Sequence, residues 1–212
     1  MPTANQSAAM KLYSRLLHEA RSRIELLEAL LGREMQLMGK PPSGWITREF
    51  CFLQLRMLCE LIALGCLVAH GDISATHAKR LRKEYSADAI MSEMTKLHPM
   101  FFPVAVVQQI NAAGNSHFIA DRSVESFTQD ELCKLYGQCG GGLHKGTIEK
   151  IITPIEPNPD NSDLMTWTKK IHGLLSIHMI YLISGDSYMI GWLRRKQSGK
   201  SGVAFASNVP SS

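Results

Sequence analysis

Apolar residues recur in steps of three and four along the first part of the chain, at Leu12, Leu16, Ala20, Ile24, Leu27, Leu31, Met35 and Met38. Arg15, Glu19, Arg21, Arg23, Glu25, Glu28, Arg33 and Glu34 fall between them. This spacing predicts a long amphipathic helix over residues 8–38 with one apolar stripe and a charged outer face. Gly39-Lys-Pro-Pro-Ser-Gly44 stops it, because proline cannot continue the backbone ladder. From Thr47 to His70 the chain is apolar on nearly every face, with Cys51, Leu55, Cys59, Ile62 and Cys66 on one stripe. A helix apolar all round must be surrounded by protein, so this segment is expected to be the central helix. A basic helix over residues 75–85 follows, carrying Lys79, Arg80, Arg82 and Lys83. A short one over residues 87–97 then places Ile90, Met94 and Leu97 on one face.

The pattern changes after His98-Pro-Met-Phe-Phe-Pro103, whose prolines push the preceding residues toward extended backbone. Val104–Ile110 and Ser116–Ala120 flank a short turn and predict a hairpin within residues 103–120. A lone hairpin is unstable in water, so it is expected to lie against the helices. Thr128 and Glu131 form a capping-box pair opening another helix, which Cys139-Gly-Gly-Gly-Leu-His144 is expected to break or pack tightly. The segment from Pro154 to Asp163 is expected to be a linker. Leu164, Trp167, Ile171, Leu174, Leu175, His178 and Leu182 then predict a last helix to about Ser184. The stretch Ser187–Leu193 reads as a strand or a helical turn, and residues 194–212 as a disordered basic tail. The expectation is one mainly α domain over residues 1–193 with a small hairpin insertion.

With 212 residues, 45% of them hydrophobic and 20% charged, the chain can bury a real core, and wholesale disorder is excluded. A formal net charge of +4 does not by itself imply nucleic acid, although Lys79–Lys83 and Arg194–Lys200 concentrate it locally. The five cysteines, an odd number, read as free core thiols of a reducing compartment. There is no basic segment followed by an apolar one at the N-terminus. The apolar run 61–69 is shorter than the about 20 residues a bilayer span needs. A soluble cytoplasmic protein without a membrane partner is expected.

Arg56 and Glu60 stand at i and i+4 inside the apolar helix, so they share a face and must find partners in each other or in an enclosed polar pocket. Tyr136, His144 and Lys145 frame the glycine cluster; a histidine of ordinary pKa can transfer protons, and glycines allow close backbone approach. The alternative at both places is architectural: a satisfied ion pair, and a helix end. No phosphate-binding glycine loop, dinucleotide fingerprint or nucleophile elbow is present. Cys133-x5-Cys139-x4-His144 lacks metal-site spacing, so neither metal nor cofactor is expected.

The segments Leu53-Gln-Leu-Arg-Met-Leu-Cys-Glu-Leu-Ile-Ala63 and Tyr136-Gly-Gln-Cys-Gly-Gly-Gly-Leu-His144 together resemble the HEPN-like superfamily of small bacterial helical proteins. The resemblance implies an antiparallel four- to five-helix bundle and a homodimer. It also implies RNA as partner in defence or stress, and in active members a metal-independent endoribonuclease. Carried over, it makes His144 and Arg56 the catalytic pair and Glu60, Tyr136 and Lys145 the residues of a polar pocket. Active members keep arginine and histidine within one short stretch, and no arginine precedes His144 here. The competing class is a non-enzymatic interaction or scaffold protein.

Overall fold

The computed structural model describes residues 3–32, 44–71, 81, 83–111, 114, 116–143, 161–183 and 187–207. Among these, five helices and five strands follow in the order α1 (Ala4–Leu31), α2 (Gly44–Ala69), α3 (Ala87–Leu97), β1 (Val104–Ile110), β2 (Ser116–Ala120), α4 (Gln129–Leu143), α5 (Ser162–Ser176), β3 (Ile177–Tyr181), β4 (Ser187–Trp192) and β5 (Gly202–Ser207). The strands form one antiparallel sheet in the order β2-β1-β3-β4-β5, curled into a half-barrel. The protein is therefore a mixed helix-and-sheet fold, and the expected antiparallel helical bundle is overturned.

Two misread segments account for the difference. The last helix stops at Ser176 rather than near Ser184, and the chain passes into β3 with no loop: Ile177 takes φ −141° and ψ 124°. His178, Met179 and Ile180 are all buried, on alternate faces of a sheet covered on both sides, and such a run has no period to distinguish it from helix. The segment read as a disordered tail supplies β5, which pairs with β4 from Ser187↔Ser207 to Trp192↔Gly202. Ser187–Trp192 is a strand, β4. The predicted hairpin is present with the expected bounds, but β1 also pairs with β3 and so belongs to the larger sheet.

The other described helices lie within the expected segments, with one rotation, and α1 starts earlier and is capped at Gly32, short of the expected end at Met38. Thr128 and Glu131 close the capping box, each side chain bonding the other's backbone N–H at 3.2 and 3.0 Å. In α1 the buried stripe is Tyr13, Leu17, Ala20, Ile24, Leu27 and Leu30, whereas Leu12 is 46% exposed. α2 is central as expected: Cys51, Leu55, Leu58, Cys59, Ala63 and Cys66 are fully buried. It is the one helix among the described residues long and apolar enough to cross a membrane. More than half of that stretch is buried within the protein, as in the core helix of a soluble one. Residues 33–38 of the first expected helix, the basic helix expected at residues 75–85 and the linker to residue 160 fall largely or wholly outside the described residues.

Helices and sheet meet around a buried polar pair. Tyr13 Oη lies 2.6 Å from His178 Nε2, and His178 Nδ1 is 3.2 Å from the Leu175 carbonyl. The carbonyl can only accept, so Nδ1 carries the proton and Nε2 accepts from the tyrosine hydroxyl. Burial lowers the His178 pKa to about 4 and pushes the Tyr13 phenol well above its ordinary value. Two glycines make room for the rings: a Cβ on Gly191 would stand 2.4 Å from His178 Nε2, and one on Gly65 2.7 Å from Tyr13 Cε2.

Gly191→Ala is expected to destabilise the fold by about 1–3 kcal/mol, since the imidazole it would strike is held on both sides; urea denaturation measures this. The unfolded chain protonates His178 near 6.5 and the folded one only near 4. Its contribution is thus complete above pH 6.5 and is lost as pH falls toward 4. The urea midpoint should drop across that window in the wild type and drop less steeply in His178→Gln; parallel profiles would refute the assignment.

Candidate functional site

The carboxylate, guanidinium and phenol singled out in the sequence do converge. Arg56 Nε is 3.4 Å from Glu60 Oε1 on α2, Arg56 Nη2 donates to Tyr136 Oη at 2.6 Å, and Tyr136 Oη donates to Glu60 Oε1 at 3.2 Å. The guanidinium also stacks over the Tyr136 ring, 4.0 Å from its centroid. Burial, reinforced by the Glu60 carboxylate and opposed by Arg56, raises the Tyr136 phenol above its usual range.

The glycines of α4 create this closeness. The helix runs unbroken through Gly140, Gly141 and Gly142 to Leu143, so the cluster packs the helix and does not break it. A Cβ on Gly142 would stand 2.6 Å from Phe52, and one on Gly140 3.3 Å from Arg56 Nη1. His144 and Lys145 lie outside the described residues. What is described is a triad linked through Arg56 Nε and Nη2, the Tyr136 hydroxyl and Glu60 Oε1, in which Arg56 and Glu60 retain 28% and 21% of their side-chain surface. Such a group pairs opposite charges within itself.

The cysteines offer no nucleophile. All five are free; burial pushes the Cys51 and Cys133 thiols up to about 11 and Cys139 to about 12, far from the thiolate form. Among the described residues no three Cys, His, Asp or Glu side chains are grouped as a metal site.

A different region has the form of a binding site. A cleft of about 1010 Å³ opens where α1 and α5 meet the end of the sheet. Ile24, Val107, Ile177, Trp192 and Leu193 make its apolar wall, and four cations, Arg21, Arg194, Arg195 and Lys196, stand against two carboxylates, Glu25 and Glu28. Arg194 Nη2 reaches Glu25 at 2.5 Å and Arg21 Nε reaches it at 2.9 Å. Burial acts to raise the Glu25 carboxyl, and these two hydrogen bonds and charges outweigh it and hold it below its ordinary value. His172 Nδ1 donates to Glu28 Oε1 at 2.7 Å, tying α5 to α1. Arg195 lies over the Trp192 ring, its Cζ 4.7 Å from the ring centroid, and donates to the Val203 carbonyl at 3.0 Å. Lys196 is exposed, as is Lys200 at the end of the same connection.

Sequence reasoning missed this cleft. Glu28 and His172 are 144 residues apart, and the basic run after Trp192 read as tail. The one available signal was an aromatic residue two positions before three consecutive cations. No protein-family model, curated protein or solved structure matches this chain.

Tyr136→Phe removes the hydroxyl that bridges Arg56 and Glu60 and is expected to cost about 0.5–1.5 kcal/mol, read from the urea midpoint. A stability unchanged by that variant would show that the triad is not structural.

Proposed function

We propose that the protein binds RNA in the cleft between α1, α5 and the sheet. The reading is carried by Arg195, packed over the Trp192 ring, standing beside Arg21, Arg194 and Lys196 in one concavity. Single-stranded RNA presents unstacked bases, which lie on aromatic rings and guanidinium planes, and phosphates, which seek cations. The strands and the β4–β5 connection support it: residues 104–120 and 187–207 contain four cations and no carboxylate. The five free thiols fit a cytoplasmic setting.

This is a binding function, because Arg56, the cation expected to act with His144, is occupied by Glu60 and Tyr136. The competing reading as a protein-interaction domain is favoured by the β1–β2 hairpin, where Ile110 is 70% and Ile119 43% exposed.

Fluorescence anisotropy with a labelled twelve-nucleotide single-stranded RNA, in EDTA, tests the proposal. Lys196→Glu/Lys200→Glu changes exposed side chains and is expected to weaken binding about tenfold or more and to flatten the salt dependence. Affinity indifferent to salt and to this variant would overturn it. Running the same mixtures on a gel should show intact RNA. Fragments made by the wild type and not by His144→Ala would replace binding with ribonuclease chemistry. Sedimentation in the same buffer checks the expected homodimer.

A further inference from the structure

β2 is the outermost strand at one end of the sheet. Asp121 N donates to the Ala105 carbonyl at 2.9 Å, so the antiparallel alternation turns the N–H and C=O of Ile119 and His117 toward β1 and those of Ser116, Phe118 and Ala120 outward. Side chains reinforce the inner pairing: Gln108 Nε2 donates to Ser116 Oγ at 2.9 Å, and His117 Nε2 lies 3.0 Å from Gln109 Oε1. Beyond β1, none of these five residues has a hydrogen-bond partner among the described residues. Ser116 and Ala120 are exposed on one face of the strand and His117 and Ile119 on the other, so β2 stands in solvent on both faces.

Edge strands of soluble proteins are kept single by charge, proline, a bulge or a covering element. β2 has none of these. Residues 104–120 include no charged residue and no proline, and the register with β1 runs unbroken from Val106↔Ala120 to Ile110↔Ser116. The opposite edge of the sheet differs: β5 is buried or half-buried from Gly202 to Ala206 and packs against α1.

We propose that β2 is the surface through which two copies of this chain pair, edge to edge, into one continuous sheet. A two-fold axis imposes antiparallel pairing, the orientation used throughout this sheet. With the axis at Phe118, Ser116 of one copy stands opposite Ala120 of the other and His117 opposite Ile119, and the outward donors meet the outward acceptors. The two Phe118 rings adjoin across the seam, each flanked on its own strand by the small Ser116 and Ala120 and backed by Trp192 at 6.0 Å. Ile119, 43% exposed in the single copy, gains a neighbour. A foreign peptide would make the same backbone bonds, but β2 has no charge with which to select one; a second copy matches it in length and side-chain order. This gives a surface to the homodimer expected from the sequence, and dimer and surface can fail separately.

Sedimentation velocity of the full-length protein over a range of concentrations, without RNA, tests the pairing. The wild type should form a concentration-dependent dimer. Ala120→Pro removes an outward N–H that bonds nothing within one copy, at a place where strands tolerate proline, and should weaken the dimer about tenfold or more while keeping the wild-type circular dichroism. His117→Glu/Ile119→Glu sets like charges opposite each other at the seam and should weaken it similarly, as should His117→Lys/Ile119→Lys. Mixed in equal amounts, the two charged variants should dimerise again, a recovery that a folding defect does not give. A wild type monomeric at every concentration would overturn both the dimer and this surface. A wild-type dimer matched by folded Ala120→Pro and by the charged variants would move the interface elsewhere, and charged variants that stay monomeric when mixed would equally refute pairing through β2.

Discussion

The packing of α1 against the sheet turns on the hydrogen bond between Tyr13 and His178. It is buried completely, and a buried imidazole or phenol without a partner carries the full cost of leaving water. Its geometry reaches outward into four elements. α1 must turn Tyr13, not Leu12, toward the core; His178 must sit on a strand whose inner face meets α1; Gly65 and Gly191 must leave their Cβ positions empty. Once α1 is rotated in this way, Arg21, Glu25 and Glu28 fall on one flank by their four- and three-residue spacing. The cleft thus follows from the same core contact.

The curl of the sheet does the rest. Phe118 on β2 and Trp192 on β4 are separated by two intervening strands, roughly 14 Å in a flat sheet at the usual strand spacing. Their ring centroids are nevertheless 6.0 Å apart, so the face away from the helices is concave and closes over Val106, Met179 and Ile190. This second small core lets the sheet exist with helices on one side only. It also carries the end of β4, and with it Trp192 and Arg194–Lys196, back toward α1, where Arg194 meets Glu25 and Arg21 Nη1 donates to the Gly199 carbonyl at 2.6 Å.

Features written in local spacing were legible in the sequence. The capping box of α4, the bounds of the hairpin, the buried stripe of α2 and the Arg56–Glu60 pair all depend on residues a few positions apart. Those that failed depend on distant partners. β3 looks helical because Ile177–Tyr181 is apolar on both faces, and a strand covered on both sides shows no alternation. β5 is hidden for the opposite reason. Val203 and Phe205 point inward and Ala204 and Ala206 outward, but small residues and a preceding run of basic and glycine residues dilute the signal. Tyr136 joins its triad across 76 and 80 residues, and Glu28 meets His172 across 144. Only the fold brings such pairs together.

The same contrast between engaged and available charge decides where function is to be sought. A cation stabilises developing negative charge when its donors are oriented toward an empty position. Arg56 is oriented, but toward Glu60 and Tyr136, and moving it to a phosphate would take the guanidinium partner from a half-buried carboxylate. In the α1–sheet cleft the cost is lower. Arg194 and Arg21 share one carboxylate, Glu25, which is 45% exposed and so remains hydrated if either leaves. Lys196 and Lys200 make no ion pair among the described residues and are exposed. Arg195 is held in place by Trp192 and the Val203 carbonyl. An anion entering there gains cations already positioned and displaces only solvent-exposed pairs, each worth about 1 kcal/mol or less.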